Sequence, residues 1–259
     1  MRDNTLSPAN WFTLHSVISS APINKITQPV VFLPGTLCDE RVFMPCWQYL
    51  DIPYQAYVPL QWADDREQML ALANDRLDYF AEPVHLVGFS MGGYIAALLA
   101  LAAQPQIASL TLIGSSCQAL PPAELNQRNT LLAAIKQAKF KGMSDVQISM
   151  MLHKNNQGDS SISAIIREME QDLGMPVLAS QMKATNERKN LIPQLAKCQF
   201  PVHFVAGQQD HLVSPEQLNL AQQQIPNSTG KLIAEAGHML PLEQPQILAE
   251  YLHSLLENV

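Results

Sequence analysis

Charge is scarce in this sequence. Asp, Glu, Lys and Arg make up 15% of its 259 residues, and 16 basic residues against 23 acidic ones leave a formal net charge of −7. That balance argues against a nucleic-acid partner, because phosphates call for clustered Lys and Arg. No run of like charge occurs. Long apolar runs are missing too: the longest, Ile95 to Ala103, falls well short of the ~20 residues that cross a bilayer. Met1 to Ala21 is polar, is broken by Pro8 and lacks the apolar centre of a signal peptide. Only four cysteines occur, Cys38, Cys46, Cys117 and Cys198. Their spacing fits neither a zinc site nor a disulfide framework. The expectation is a soluble cytoplasmic protein with free thiols, no membrane span and no metal. There is no internal repeat and no low-complexity tract.

What is present is an apolar fraction of 47%, enough for one large α/β domain or one such domain with an insertion. Val30 to Leu33, Tyr54 to Val58, Val84 to Val87 and Ala108 to Ile113 read as short buried strands. Between them lie helical patterns. Asp64-Asp65 caps a helix with apolar positions Met69, Leu72, Ala73, Leu77 and Phe80. A second helix runs from Tyr94 to Ala103, and a short one, broken at Pro45, covers Glu40 to Leu50. Strands alternating with helices predict a mostly parallel sheet wrapped on both faces. Before this pattern, Trp11 to Ile18 reads as an edge strand or a hairpin.

From Gln118 to Lys197 the pattern changes. No strand is legible, and helices over 124–140, 145–152 and 162–173 are separated by turn-forming residues. Six of the eleven methionines fall here: Met143, Met150, Met151, Met169, Met175 and Met182. They read first as core filler and second as the lining of an adaptable pocket. The sheet pattern resumes with Val202 to Gly207, a helix capped by Ser214 with Pro215 at its first position, a strand over Lys231 to Ala234, and a terminal helix with apolar pairs through Leu256. The predicted organisation is a core of residues 1–117 plus 198–259 and a helical cap of residues 118–197.

The chemistry gathers around Gly88-Phe89-Ser90-Met91-Gly92. A strand, a Gly-x-Ser-x-Gly turn and a helix form the context of a nucleophile elbow, which lifts a serine hydroxyl off the sheet. Serine needs a general base within ~3 Å, and the base needs an orienting carboxylate. In a parallel sheet both belong beyond the carboxyl ends of later strands. Asp210 follows Val202–Gly207, and His238 follows the last strand. Rival bases are weaker: His85 and His203 sit within strands and read as satisfied core groups, and His211 adjoins Asp210 too closely to accept its relay. Ser115 and Ser116, in the loop after the preceding strand, cannot ionise. Two backbone donors should hold a developing oxyanion: Met91 N–H after the serine, and Thr36 N–H in the loop after Val30–Leu33, with Leu37 as the fallback.

These residues resemble the α/β-hydrolase superfamily. The likeness rests on Phe32-Leu33-Pro34-Gly35-Thr36-Leu37, the elbow itself, Gly207-Gln208-Gln209-Asp210 and Gly237-His238-Met239-Leu240-Pro241-Leu242-Glu243-Gln244-Pro245. It extends over about 28–117 and 198–257. The chain looks most like the capped esterase and lactonase branch and is similar to carrier-protein methyl ester hydrolases, enol-lactonases and carbon–carbon bond hydrolases. Where many members carry His-Gly, this chain has Pro34-Gly35; the oxyanion donor is a backbone group and should survive, but any supporting contact of that histidine has no counterpart here. The resemblance implies an α/β-hydrolase fold and a serine hydrolase of a carboxylic ester, thioester or lactone, working without cofactor. Two alternatives stand beside it. One is carbon–carbon cleavage by the same triad, with Arg128, Lys136 or Arg188 meeting a substrate carboxylate. The other is a non-enzymatic ligand receptor.

Overall fold

In the computed structural model, residues 26–257 are described. The expectation for Trp11 to Ile18 lies outside them. Six strands form the sheet: β1 (Val30–Leu33), β2 (Gln55–Tyr57), β3 (Val84–Phe89), β4 (Ile107–Ile113), β5 (Val202–Gly207) and β6 (Ser228–Ile233). Their order is β2-β1-β3-β4-β5-β6, and each pairing is parallel.

Every residue of β1, β3, β4 and β5 is buried, which is why these strands read as mostly apolar runs, interrupted only by His85, Ser109, Thr111 and His203. Successive side chains leave opposite faces of a strand. Leu86 thus joins one core with Met69 and Ala73 of α2 (Arg66–Asp78) and Ile95 of α3 (Met91–Ala102), whereas Val87 joins the other. That second core contains Cys46 of a short helix (Met44–Trp47) and Leu248, Leu252 and Leu256 of the terminal helix (Pro245–Leu256).

The sheet differs from expectation at one edge. The last strand starts at Ser228 rather than Lys231, and its Thr229, Gly230, Lys231 and Leu232 are exposed. An edge strand presents no apolar alternation, so only its pairing with β5 reveals it. Two buried histidines also differ. His85 Nδ1 meets Ser109 Oγ at 2.7 Å and His203 Nδ1 meets Thr229 Oγ1 at 2.8 Å. Both Nε2 atoms are buried without a partner among the described residues. These groups are therefore satisfied on one nitrogen only. Burial lowers both to about 4, and the neighbouring His203 adds to the effect on His85.

Between β4 and β5 the described chain is helical: α4 (Pro122–Lys136), α5 (Asp145–Met151), α6 (Ser160–Asn186) and a short turn of helix over Ile192–Leu195. α6 bends at Gly174, which adopts φ 72° and ψ 176°. Its second half, beyond Pro176, has no counterpart in the sequence reading. Proline is tolerated near a helix start, where the N–H it lacks would be unpaired. Of the six methionines, Met169 and Met182 are buried, whereas Met150 is exposed and fills no core.

The parallel register aligns Leu33 with Gly88, Phe89 with Ile113, and Ile113 with Val205. The loops that follow β1, β3, β4 and β5 therefore open at one edge of the sheet. That edge lies under the helical segment.

Candidate active site

Ser90 stands between β3 and α3 with φ 50° and ψ −113°. A non-glycine residue there is strained, and such strain persists only where the surroundings enforce it. Tight packing enforces it here. A Cβ on Gly92 would fall 2.3 Å from the Leu33 carbonyl oxygen and 2.4 Å from that of Pro34. The start of α3 is thereby pressed against the loop after β1.

Asp210 and His238 converge on the serine. His238 Nε2 lies 3.0 Å from Ser90 Oγ, and its Nδ1 lies 2.8 Å from Asp210 Oδ2. The other carboxylate oxygen accepts the Leu212 and Val213 N–H groups at 2.8 and 2.9 Å. Burial, the largest influence on Asp210, raises its pKa. The facing His238 and the two N–H donors outweigh burial and hold the carboxyl below its ordinary value. An ionised Asp210 can only accept, so Nδ1 carries the proton. Nε2 is left as the base that accepts the Ser90 hydroxyl.

Of the two expected backbone donors, Met91 N–H directly follows Ser90 in the chain and Thr36 N–H follows Gly35, whose added Cβ would lie 3.4 Å from Ser90 Cβ. Among the described residues neither the Thr36 nor the Met91 N–H has an acceptor within the protein. Met91 also opens α3, where the helix dipole favours negative charge. Leu37 N–H is already engaged, donating to Gln181 Oε1 at 2.7 Å. His211 is exposed. Of the three cations weighed for a substrate carboxylate, Arg128 and Arg188 are neighbours, and burial followed by Arg128 lowers Arg188 to about 10. Arg128 pairs with Glu124 at 3.0 Å, Lys136 is exposed, and Arg188 lies 5.1 Å above the Tyr94 ring. Burial pushes Cys38, Cys46 and Cys117 up to about 12, so these buried thiols are protonated and are poor nucleophiles. Among the described residues no three His, Cys, Asp or Glu side chains gather as metal ligands would.

Several contributors escaped the sequence reading. Gly114 ends β4 at φ 54°, and a Cβ there would sit 3.3 Å from both Asp210 Oδ2 and His238 Cε1. Glu243 is a buried carboxylate directly after the apolar run from Leu240 to Leu242. Its Oε1 accepts Gly237 N–H at 2.8 Å, and its Oε2 accepts His153 N–H at 2.6 Å and Asn156 Nδ2–H at 2.9 Å. The His238 N–H donates to the Met151 carbonyl at 2.8 Å. The histidine loop is thus tied to α5 and the turn after it. On the opposite side, Arg41 joins Asp39 at 2.6 Å and Asp172 of α6 at 2.8 Å. No sequence spacing foretells these contacts.

The comparisons agree with this architecture. The family model described as α/β-hydrolase fold matches residues 75–245, more than half of the chain. The protein belongs to the α/β-hydrolase family. Monoacylglycerol lipase ABHD6 of Bos taurus is 24% identical over 188 residues, covering 69% of this chain and 56% of that protein. The chain therefore spans little more than half the length of this curated relative. Among solved structures, a thermophilic esterase from Thermogutta terrifontis superposes with a TM-score of 0.77 at 20% identity, covering 90% of each chain. MenH from S. aureus gives 0.72 at 22% identity, covering 92% of this chain and 96% of that one. Both are alike in fold. No helix among the described residues is long and apolar enough to cross a membrane.

Proposed function

We propose that the protein is a serine hydrolase of carboxylic esters, thioesters or lactones carrying a small to medium apolar acyl group. One observation carries the reading: the unbroken hydrogen-bond chain from Ser90 Oγ through His238 to Asp210, at 3.0 and 2.8 Å. In this reading His238 removes the Ser90 proton as Oγ attacks the acyl carbonyl. The Thr36 and Met91 N–H groups receive the oxyanion. As the tetrahedral intermediate collapses, the carbonyl re-forms and the bond to the leaving oxygen or sulfur breaks. His238 hands its proton to that leaving group. A water deprotonated by His238 then attacks the acyl-enzyme, and Ser90 departs with the proton from His238. Asp210 keeps the imidazole in the working tautomer and stabilises its cation.

Residues 118–197 act as a cap in this proposal. Leu37 in the loop after β1 packs with Leu178 and Met182 of α6, and half-buried Leu131, Ile135 and Met175 complete an apolar cluster. Such a lining suits an apolar acyl chain. The printed names of the relatives, a monoacylglycerol lipase and an esterase, point the same way.

The test is a panel of esters, thioesters and lactones presented to wild type and to Ser90→Ala. Turnover of at least one member should fall by about 10⁴-fold or more in the variant. A fluorophosphonate should label Ser90 and nothing else. Turnover that survives unchanged in Ser90→Ala removes the proposal.

A further inference from the structure

Gln181 lies in the second half of α6 with its side chain fully buried. Its Oε1 accepts the Leu37 N–H at 2.7 Å. A backbone N–H can only donate, so the carboxamide must turn its oxygen to Leu37 and its NH2 elsewhere. That NH2 is buried and has no acceptor among the described residues. A buried donor left unpaired is costly and calls for an explanation, and an oxygen on a bound ligand is one that this position fits.

Its position says where. Leu37 directly follows Thr36, whose N–H faces the reaction in the proposed mechanism. The same loop touches the nucleophile: a Cβ at Gly35 would lie 3.4 Å from Ser90 Cβ. The carboxamide is hydrogen-bonded to Leu37, one residue beyond that donor, and Leu37 packs with Leu178 and Met182 of the same helix as Gln181. An apolar acyl chain entering this cluster meets a single fixed donor close to its carbonyl end.

We infer that Gln181 is a specificity-determining residue whose Nε2–H2 donates to an oxygen on the acyl chain, next to the scissile carbonyl. The preferred substrates are then esters with an ether, hydroxyl or keto oxygen at that place, not plain alkanoates. This inference rests on the ester-hydrolase reading above. Leu37 itself has φ 55°, so a purely structural alternative exists in which Gln181 only holds this strained turn. The two roles separate by substrate.

The pair p-nitrophenyl methoxyacetate and p-nitrophenyl butyrate differ by one oxygen in place of a methylene. The ratio of their kcat/KM values, compared between proteins, cancels their intrinsic difference in reactivity. Gln181→Met should lower that ratio by about 10-fold or more, since a site built to hydrogen-bond an oxygen discriminates strongly against its absence. Gln181→Glu keeps an acceptor for Leu37 N–H but loses the NH2, and should lower the ratio as well. Equal loss on both esters in Gln181→Met, or an unchanged ratio in Gln181→Glu, overturns the inference and leaves the structural role. Binding in a Ser90→Ala background, measured by calorimetry with the two methyl esters, keeps the test independent of turnover. A preference for the methoxyacetate there, abolished by Gln181→Met, is expected. Its absence overturns the inference whatever the turnover. If the preference is present but wild type hydrolyses no member of the ester, thioester and lactone panel, the hydrolase reading fails and the donor role of Gln181 stands.

Discussion

At the scale of single residues, the site depends on atoms held where they would not rest by themselves. Ser90 occupies a strained backbone conformation, and Gly114 makes room for the Asp210–His238 pair by lacking a side chain. Alanine at 114 must adopt a left-handed conformation and press on both partners. The strain alone costs about 1–2 kcal/mol. Gly114→Ala is therefore expected to melt a few degrees lower. It should also lose about 10- to 100-fold in kcat with little change in KM, because the substrate-binding surface is untouched. Steady-state kinetics with a thermal melt decide it. Asp210→Asn is a sharper test of the tautomer argument. The amide can turn its NH2 toward Nδ1, which then stays unprotonated, and the proton moves to the nitrogen that must accept from Ser90. A fall in kcat of about 10⁴-fold with the fold intact is expected, read by kinetics and circular dichroism.

Among the elements, the decisive contacts run between the sheet edge and the helices above it. Glu243 holds three donors from two segments, Gly237 beside the histidine and His153 and Asn156 after α5. Removing it leaves two buried backbone donors unpaired, at about 1–3 kcal/mol each, while the Asn156 amide keeps the Glu235 carbonyl at 3.3 Å. Glu243→Ala should destabilise the protein by about 3 kcal/mol or more and slow fluorophosphonate labelling of Ser90, because the loop carrying His238 is freed. Glu243→Gln keeps one acceptor oxygen but turns an NH2 toward other donors, so it should fall between Ala and wild type. Labelling rates that stay at the wild-type value in Glu243→Ala would show that the His238 loop holds its place without it. The sequence shows this glutamate only as an acid after an apolar run. Two of its three partners lie 87 and 90 residues away in the chain, beyond any local pattern.

For the whole molecule, the buried histidines of the sheet set its response to acid. His85 and His203 titrate near 4 in the folded protein against 6.5 when exposed. Above pH 6.5 both are neutral folded or unfolded and cost nothing. As pH falls from 6.5 towards 4 the unfolded chain takes up protons that the native sheet refuses, so stability drops through that window. A shift of this size corresponds to about 3 kcal/mol per histidine. Asp210, held below its ordinary value, adds a further loss only at more acidic pH. Urea unfolding at pH 7 and pH 4.5 should show the midpoint falling steeply. In His85→Phe, which cannot titrate, the fall should be visibly smaller, and an equal fall in that variant would place the acid sensitivity elsewhere.

The order of strands and helices, the elbow at Ser90 and the identities of Asp210 and His238 could be read from the chain itself. The reasons are local. A strand buried on both faces must be mostly apolar, as β1, β3, β4 and β5 are apart from His85, Ser109, Thr111 and His203, and a tight turn into a helix leaves room only for glycine around the serine. The first residues of the edge strand β6, Ser228 to Gly230, and the second half of α6 were hidden because each lacks a local signature. One pairs through its backbone alone, and the other begins at a proline that also breaks helices. Which loop N–H is free, Thr36 rather than Leu37, and which buried groups brace or face the site, Gly114, Glu243 and Gln181, were decided only by the tertiary structure. Those roles arise where segments far apart in the chain meet at one edge of the sheet. Such meetings follow from the register of a parallel sheet and the close packing of the helices over it, and neither is written in any single stretch of residues.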